Sequence, residues 1–382
     1  MKIINFDNAA TTLIDETIEK EYQALLNEHF YNPSSPHRGG YEVKRKIDAS
    51  RDAILKNLNL SKNDYKVVFT SGATEANNLA ILGVARRYKN RGKHLITTSI
   101  EHPSVLRVFY YLRDEEGFRL SILEPDQNGI VSLEKLMAVI DDETILVSIM
   151  ATNNEVGSLN DVEGMTQIIR KYPKCFFHVD VAQAIAHRKL NYNLFDLFSF
   201  SAHKINGLKG SGALIMKSKI SLAPMIFGGE QEFGMRSGTE DAEKDIVLSS
   251  TIRLAIDKLN SKYAMIKTMH YHLYDSLVKL EDDIIMNSPR DGSPFIVNFS
   301  LKNKRASVLV EALSNVGIYV STSSACSAKL AKESYVIKAM FADERRAKNS
   351  IRISLGYDNT MDEIDTFLNT LEKILKEIMQ ND

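Results

Sequence analysis

The chain has 382 residues, with 48 Lys and Arg against 49 Asp and Glu, two cysteines and a net charge of −1. That length exceeds what one small core organises and predicts about two domains, or one large α/β domain with an appendage. The near-zero charge excludes the broad basic footprint of a nucleic-acid or anionic-membrane binder. No apolar run approaches the roughly 18–20 residues of a membrane span, and the start "MKIINFDNAATT" lacks a signal-peptide core, so a cytoplasmic protein is expected. Cys175 and Cys326 lie far apart with no C-x-x-C spacing, which argues against a disulfide framework or a structural zinc site.

In chain order, "KVVFT" (66–70), "HLITT" (94–98), "TILVSIM" (144–150), "FFHVDV" (176–181), "LFSFSA" (197–202) and "GALIMK" (212–217) are short apolar runs bounded by Gly, Asn or Asp. They read as strands buried on both faces. Helical spacing in "EANNLAILGVARRYKN" (75–90) and "VEGMTQIIRKY" (162–172) makes the connections crossover helices around a mainly parallel sheet. Beyond about residue 256 the pattern changes. A long helix (254–280) leads into the strands "FIVNFSL" (295–301), "IYVSTSSA" (318–325) and "SIRISLG" (350–356), and a helix over 361–380 closes the chain. The expected organisation is a large domain over 15–255 and a smaller α+β domain made of 1–14 and 256–382.

Ligands of open α/β sheets sit outside the carboxyl ends of the strands, so the polar clusters after those strands carry the candidates. "FTSGATEANNLA" (69–80) runs from strand through Ser-Gly-Ala-Thr into a helix, either a phosphate seat at a helix N-terminus or a plain N-cap. It has neither a P-loop Lys nor a G-x-G-x-x-G pattern, which favours a mononucleotide-like or cofactor phosphate. "FFHVDVAQAIAH" (176–187) ends a buried strand on Asp180, costly unless a cation meets it; a protonated pyridine nitrogen is one such cation, an ordinary salt bridge another. "SFSAHKINGLKGSGAL" (199–214) sets Ser201, His203 and Lys204 just past another strand. Anion seat, buried Asp and strand-terminal Lys, in that order, are what a pyridoxal-phosphate site requires.

These stretches, with "NFDNAATT", "YNPSSPHRGG", "EHPSVL", "NNEVG", "GGEQEFGMRSGTE", "SSACSA" and "SIRISLG", resemble the cysteine desulfurases of the NifS/IscS type over residues 1 to about 365. The resemblance implies a fold-type-I pyridoxal-5'-phosphate enzyme of the class-V aminotransferase family. It implies that Lys204 bonds the cofactor, Asp180 partners the pyridine nitrogen and Gln183 contacts the ring hydroxyl. Ala73, Thr74, Ser201 and His203 hold the phosphate, with Thr239 reaching it from the partner subunit of a homodimer. His102 stacks on the ring and serves in proton transfer, Asn154 lies nearby, and Asn32 and Arg352 hold the substrate carboxylate. Cys326 attacks the sulfur of L-cysteine and carries it as a persulfide, with L-alanine as the other product.

Small residues on both sides of Cys326 carry little packing obligation, consistent with a thiol that travels. No metal site is implied beyond Cys326 as a transient iron–sulfur ligand. The sulfur acceptor implied is an iron–sulfur scaffold protein or a tRNA-thiolating enzyme; the chain ends at "EIMQND", short of the tail that docks such scaffolds in many relatives. Ser324, Glu230, Phe233 and Ala202 depart from the family pattern, where Gly, Gly, Arg and Gly are common. A selenocysteine lyase or aminotransferase of the same fold, needing no persulfide-forming Cys, is the alternative within the class. A non-catalytic interaction protein on this fold is the alternative outside it. Cys175, on the way into a central strand, is read as a packing residue.

Overall fold

In the computed structural model, residues 3–28, 30–322 and 333–380 are described. The N-terminal half runs β1 (Ile4–Asn5), α1 (Glu16–Glu28), α2 (Arg38–Asn57), β2 (Tyr65–Thr70), α3 (Ala73–Tyr88), β3 (His94–Thr98), α4 (Pro103–Asp114), β4 (Arg119–Leu123), α5 (Leu133–Met137) and β5 (Thr144–Ser148). It continues through α6 (Val162–Ile169), β6 (Phe176–Asp180), β7 (Leu197–Ser201) and β8 (Gly212–Lys217). Seven of these strands form one sheet in the order β2-β8-β7-β6-β5-β3-β4. β8 alone runs against its neighbours in that sheet, pairing antiparallel with β7 and β2. All six strands expected from the apolar runs belong to it.

The edge strand β4 was not among them. Its sequence, Arg-Leu-Ser-Ile-Leu, is half-exposed along most of its length and lacks the continuous apolar run of a strand covered on both faces. Side chains of α2, α6 and the start of the following helix bury one face of the sheet, and those of α3 and α4 the other. Cys175 is buried in the first of these cores.

The chain then enters α7 (Ala242–Val278). This helix begins twelve residues before the expected 254, because Asp241 caps it by accepting from the Lys244 N–H. Its Leu248, Ile252 and Ala255 pack on the large sheet, whereas Ile266, Met269, Leu273 and Leu277 join a separate core. That second core is built by β9 (Ile284–Met286), β10 (Ile296–Leu301), α8 (Ala306–Asn315), β11 (Ile318–Tyr319), β13 (Ser350–Ser354) and α11 (Met361–Gln380), with β12 (Ser321–Thr322) in the same region, whereas α9 (Tyr335–Phe341) and α10 (Glu344–Lys348) pack in a smaller core with Ile100 and Val156. Four strands form an antiparallel sheet, β12-β13-β10-β9. The strand expected over 318–325 is two short ones, β11 pairing parallel with β1 and β12 with β13; its last three residues, and with them Ser324 and Cys326, lie outside the described residues. Pairing of β1 with β11, and the bridge of Asp7 to Ser354, lay the N-terminal segment along the smaller sheet and carry it to the carboxyl ends of the large one.

Candidate active site

Gly72 sits between β2 and α3 with φ +148°, a conformation side chains rarely adopt, and no side chain caps the helix from that position. The first amides of α3 therefore face outward without intrahelical acceptors. Ser201, at the end of β7, accepts from the Ala73 N–H at 2.6 Å. A cleft of about 380 Å³ opens here, lined by Thr11, Gly72, Ala73, Thr74, Ser201, His203 and Lys209, among others. His203 Nδ1 lies 3.2 Å from Thr11 Oγ1. Burial, reinforced by Lys204 and Lys209, pushes the His203 pKa down to about 4, so the ring is neutral at neutral pH. Oriented amides, hydroxyls and a lysine around an open concavity are a seat for a phosphate.

Asp180 ends β6 with 5 % of its surface exposed. Its Oδ1 accepts from the Ala182 N–H at 2.9 Å and its Oδ2 from Asn77 Nδ2 at 2.8 Å. Among the described residues no cationic side chain forms an ion pair with it. A buried carboxylate held by two neutral donors lacks the counter-charge that burial demands. A pyridinium supplies that charge.

Lys204 follows β7 in a short 3₁₀ turn, and its Nζ donates to the carbonyls of Ala9 at 2.5 Å and Ala10 at 2.8 Å. Gln183 Nε2 donates to the same Ala9 carbonyl at 3.0 Å. The N-terminal segment thus brings Lys204 and Gln183 together, 21 positions apart in sequence. Arg352, on β13, is buried; its Nη1 donates to the Asn154 carbonyl at 2.9 Å and its Nη2 pairs with Asp7 Oδ1 at 2.8 Å. Arg352 Nε and Asn154 Oδ1 are buried with no hydrogen-bond partner among the described residues, two polar atoms that a bound ligand can satisfy.

His102 caps α4 with its side chain. Burial pushes its pKa down, Asp180 pulls it up and Lys204 pushes it down further. The preceding Glu101 is fully buried, and burial raises its carboxyl to about 8. Glu155, beside Asn154, is raised to about 7 by burial, tempered by the Ser334 hydroxyl at 2.5 Å and by Arg352.

Two residues singled out from the sequence stand apart from this group. Asn32 is exposed and turns its Oδ1 back to the Ser34 N–H at 2.9 Å. Thr239 is exposed in the loop before α7. Cys326 lies outside the described residues. Conversely, Thr11, Lys209, Asp7, Asn77 and Ser104 belong to the site without having been assigned a part in it. Thr11 and Lys209 fall inside stretches that carry the resemblance, "NFDNAATT" and "SAHKINGLKGSGAL", and a polar residue one turn from a motif is the signal that could have found them.

The donor set fits pyridoxal 5'-phosphate: an anion seat at α3, an uncompensated carboxylate for a ring cation, an amine at Lys204, and a guanidinium for an amino-acid carboxylate. The chain matches the class-V aminotransferase family over residues 4–367 and belongs to that family. It stands on the NifS/IscS-like side of it. It is 35 % identical over 381 residues, 98 % of this chain and 95 % of the relative, to a protein of Clostridium botulinum (strain Kyoto / Type A2) named cysteine desulfurase IscS. A solved NifS-like protein superposes with a TM-score of 0.90 at 35 % identity, covering 98 % of this chain and 100 % of that one. A structure of SspA in complex with cysteine superposes with a TM-score of 0.79 at 28 % identity, covering 93 % and 99 %.

Proposed function

We propose that this chain is a pyridoxal-phosphate-dependent cysteine desulfurase that converts L-cysteine to L-alanine and parks the sulfur on Cys326 as a persulfide for delivery to an acceptor protein. The observation that carries the reading is Asp180, a buried carboxylate with no cationic side chain in an ion pair with it among the described residues, at the same strand ends as Lys204 and the open N-terminus of α3. Full-length similarity to relatives named cysteine desulfurase, and to a structure holding cysteine, supports the substrate.

The phosphate would lie against Ala73, Thr74, Ser201 and His203, with Gln183 at the ring hydroxyl and Asp180 at the ring nitrogen. Bound there, the cofactor acts as an electron sink that weakens the bonds at the substrate's α-carbon. Arg352, with Asn154 beside it and Asn32 brought in from the exposed loop, holds the substrate carboxylate. Lys204 would hold the cofactor through Nζ, and the same amine would take the α-proton and return a proton to carbon. His102 would lie against the ring. The thiolate of Cys326 forms an S–S bond to the substrate sulfur as the Cβ–S bond breaks, the electron pair staying on carbon, where protonation completes alanine.

The active form proposed is a homodimer in which Thr239, exposed here, reaches the phosphate of the second copy. We place the domain division at 15–255 against 1–14 with 256–382. We place the enzyme in the cytoplasm, where a free acceptor thiol is kept reduced; no helix among the described residues is long and apolar enough to cross a membrane. The acceptor is an iron–sulfur scaffold or a tRNA-thiolating enzyme.

The test supplies L-cysteine to purified holoenzyme without any 2-oxo acid. Alanine equal to the sulfur released, with mass spectrometry placing one extra sulfur on the Cys326 peptide, is the expected result. Unchanged turnover in Cys326→Ser would refute the assignment. Alanine formation that needs a 2-oxo acid would make the chain an aminotransferase instead.

A further inference from the structure

The hydrogen bonds around Asn77 fix the direction of its side-chain amide. Asn77, on α3, is fully buried, and its Nδ2 carries two hydrogens. One goes to Asp180 Oδ2 at 2.8 Å and the other to Ser104 Oγ at 2.9 Å. Reversing the amide would set its carbonyl oxygen against the Asp180 carboxylate and lose both bonds, so Asp180 fixes its orientation. The cost is an Asn77 Oδ1 buried without a partner among the described residues.

Ser104 Oγ, having accepted from Asn77, has one hydrogen to give, and it lies 2.8 Å from His102 Nδ1. The Ser104 backbone N–H donates to the same nitrogen at 3.1 Å as the cap of α4. A backbone amide can only donate. A proton on Nδ1 would therefore point at the amide hydrogen, so the single proton of the neutral ring sits on Nε2, and the rotatable Ser104 hydroxyl donates to Nδ1.

We propose that the chain Asp180–Asn77–Ser104, together with the Ser104 amide, locks His102 as the neutral imidazole protonated on Nε2, so that it meets cofactor and substrate as a hydrogen-bond donor. The lone pair that a base needs is committed to Ser104, which leaves the α-proton to Lys204. Asn77 and Ser104 are positioning residues: one amide orients both the carboxylate that would meet the ring nitrogen and, through Ser104, the imidazole that would lie against the ring. The charged groups acting on His102 are Asp180 from β6 and Lys204 from the turn after β7, and its burial opposes a second proton. The use made of that proton rests on the desulfurase reading; its location does not.

The experiment is long-range proton–nitrogen NMR at neutral pH on holoenzyme labelled with ¹⁵N-histidine. His102→Gln identifies the signal among nine histidines. The expected spectrum has Nε2 protonated and Nδ1 unprotonated and hydrogen-bonded. In Ser104→Ala the Nδ1 resonance moves toward that of a free imidazole nitrogen, and kcat for alanine formation falls about tenfold with KM within about twofold, the loss of one hydrogen bond. Ser104→Thr, which keeps the hydroxyl, restores both. A wild-type His102 protonated on Nδ1, or an Nδ1 resonance or kcat unmoved in Ser104→Ala, would overturn the proposal. A protein that shows this tautomer but makes no alanine from cysteine would sink the desulfurase reading and leave the proton placement standing.

Discussion

Replacing Arg352 by Lys separates the contacts its guanidinium makes in the structure from the substrate contact proposed for it. In the structure its Nη1 is on the Asn154 carbonyl at 2.9 Å and its Nη2 on Asp7 at 2.8 Å, with only 5 % of the residue exposed. A planar fork can keep such anchors while presenting further N–H groups to a carboxylate; a single ammonium cannot do both. Each charge-assisted hydrogen bond contributes about 1.5–3 kcal/mol, and losing one from the substrate carboxylate raises KM by about 10- to 150-fold. That carboxylate is bound alike in the ground state and the transition state, so kcat should stay within about threefold. The measurement is steady-state alanine formation against cysteine concentration, with the holoenzyme absorbance confirming cofactor content. A KM within about twofold of wild type would refute the carboxylate assignment and reduce Arg352 to a strut between Asp7 and Asn154. A collapse of kcat at unchanged KM would refute it equally.

Cys175 is buried, and burial pushes its thiol up, so it is a packing residue with no thiolate to offer; Cys175→Ser should keep alanine formation within about twofold and leave the persulfide on Cys326. A buried ion pair broken on one side costs about 3–5 kcal/mol, and Arg51 meets Glu232 with both nitrogens, at 2.9 and 2.6 Å. Because Glu240 at 3.5 Å retains part of the compensation, Glu232→Gln should sit at the lower end, about 3 kcal/mol by urea unfolding. Glu101 and Glu155 hold their protons to about 8 and about 7 in the folded protein, against about 4.3 for an unfolded Glu. The stability they contribute is complete below the unfolded value and is lost as pH rises through 7 and 8. The urea midpoint of the cofactor-free enzyme should fall over that window, and Glu101→Gln should flatten the fall; a midpoint that rises there would contradict the assignment.

What could be read in the sequence followed from burial. The six central strands announce themselves because covering both faces demands unbroken apolar runs, and Asp180, Ser201, His203 and Lys204 are legible because polar residues end those runs where ligands bind. The edge strand β4 escapes the same rule, having no second covered face. Asn77 shows the limit. It stands beside Asn78 in "EANNLA", and nothing local separates them, yet Asn77 is fully buried between Asp180 and Ser104 while Asn78 is half-exposed and bonds the Thr74 carbonyl of its own helix. The partners of Asn77 lie 103 and 27 positions away, and only the packing of α3 over β6 and α4 brings them together. Arg352 was legible through family resemblance alone, since a lone Arg in a strand carries no mark of its carbonyl and carboxylate partners.

The departures at 230 and 233 also acquire a physical setting. Glu230, Glu232 and Phe233 all have positive φ, 64°, 50° and 60°, a conformation costing non-glycine residues about 1–2 kcal/mol each. Phe233 lies over the Arg51 guanidinium at 5.2 Å, with the Phe69 ring on Arg51 at 4.5 Å and Glu232 bonded to its nitrogens. An Arg at 233 would bring a like charge to that guanidinium, whereas the aromatic ring is attracted to it. The buried Glu232 also accepts from the Phe69 N–H at 2.8 Å, at the end of β2, three residues before Gly72. Further along the same loop, Arg236 pairs with Glu75 at 2.8 Å, and the other oxygen of Glu75 accepts from the Ser71 N–H at 2.8 Å. The strained loop therefore grips the phosphate seat from both sides, through Phe69 before it and Glu75 after it. Thr239, three residues beyond Arg236, inherits a fixed starting point, as the proposed reach into a second subunit would require.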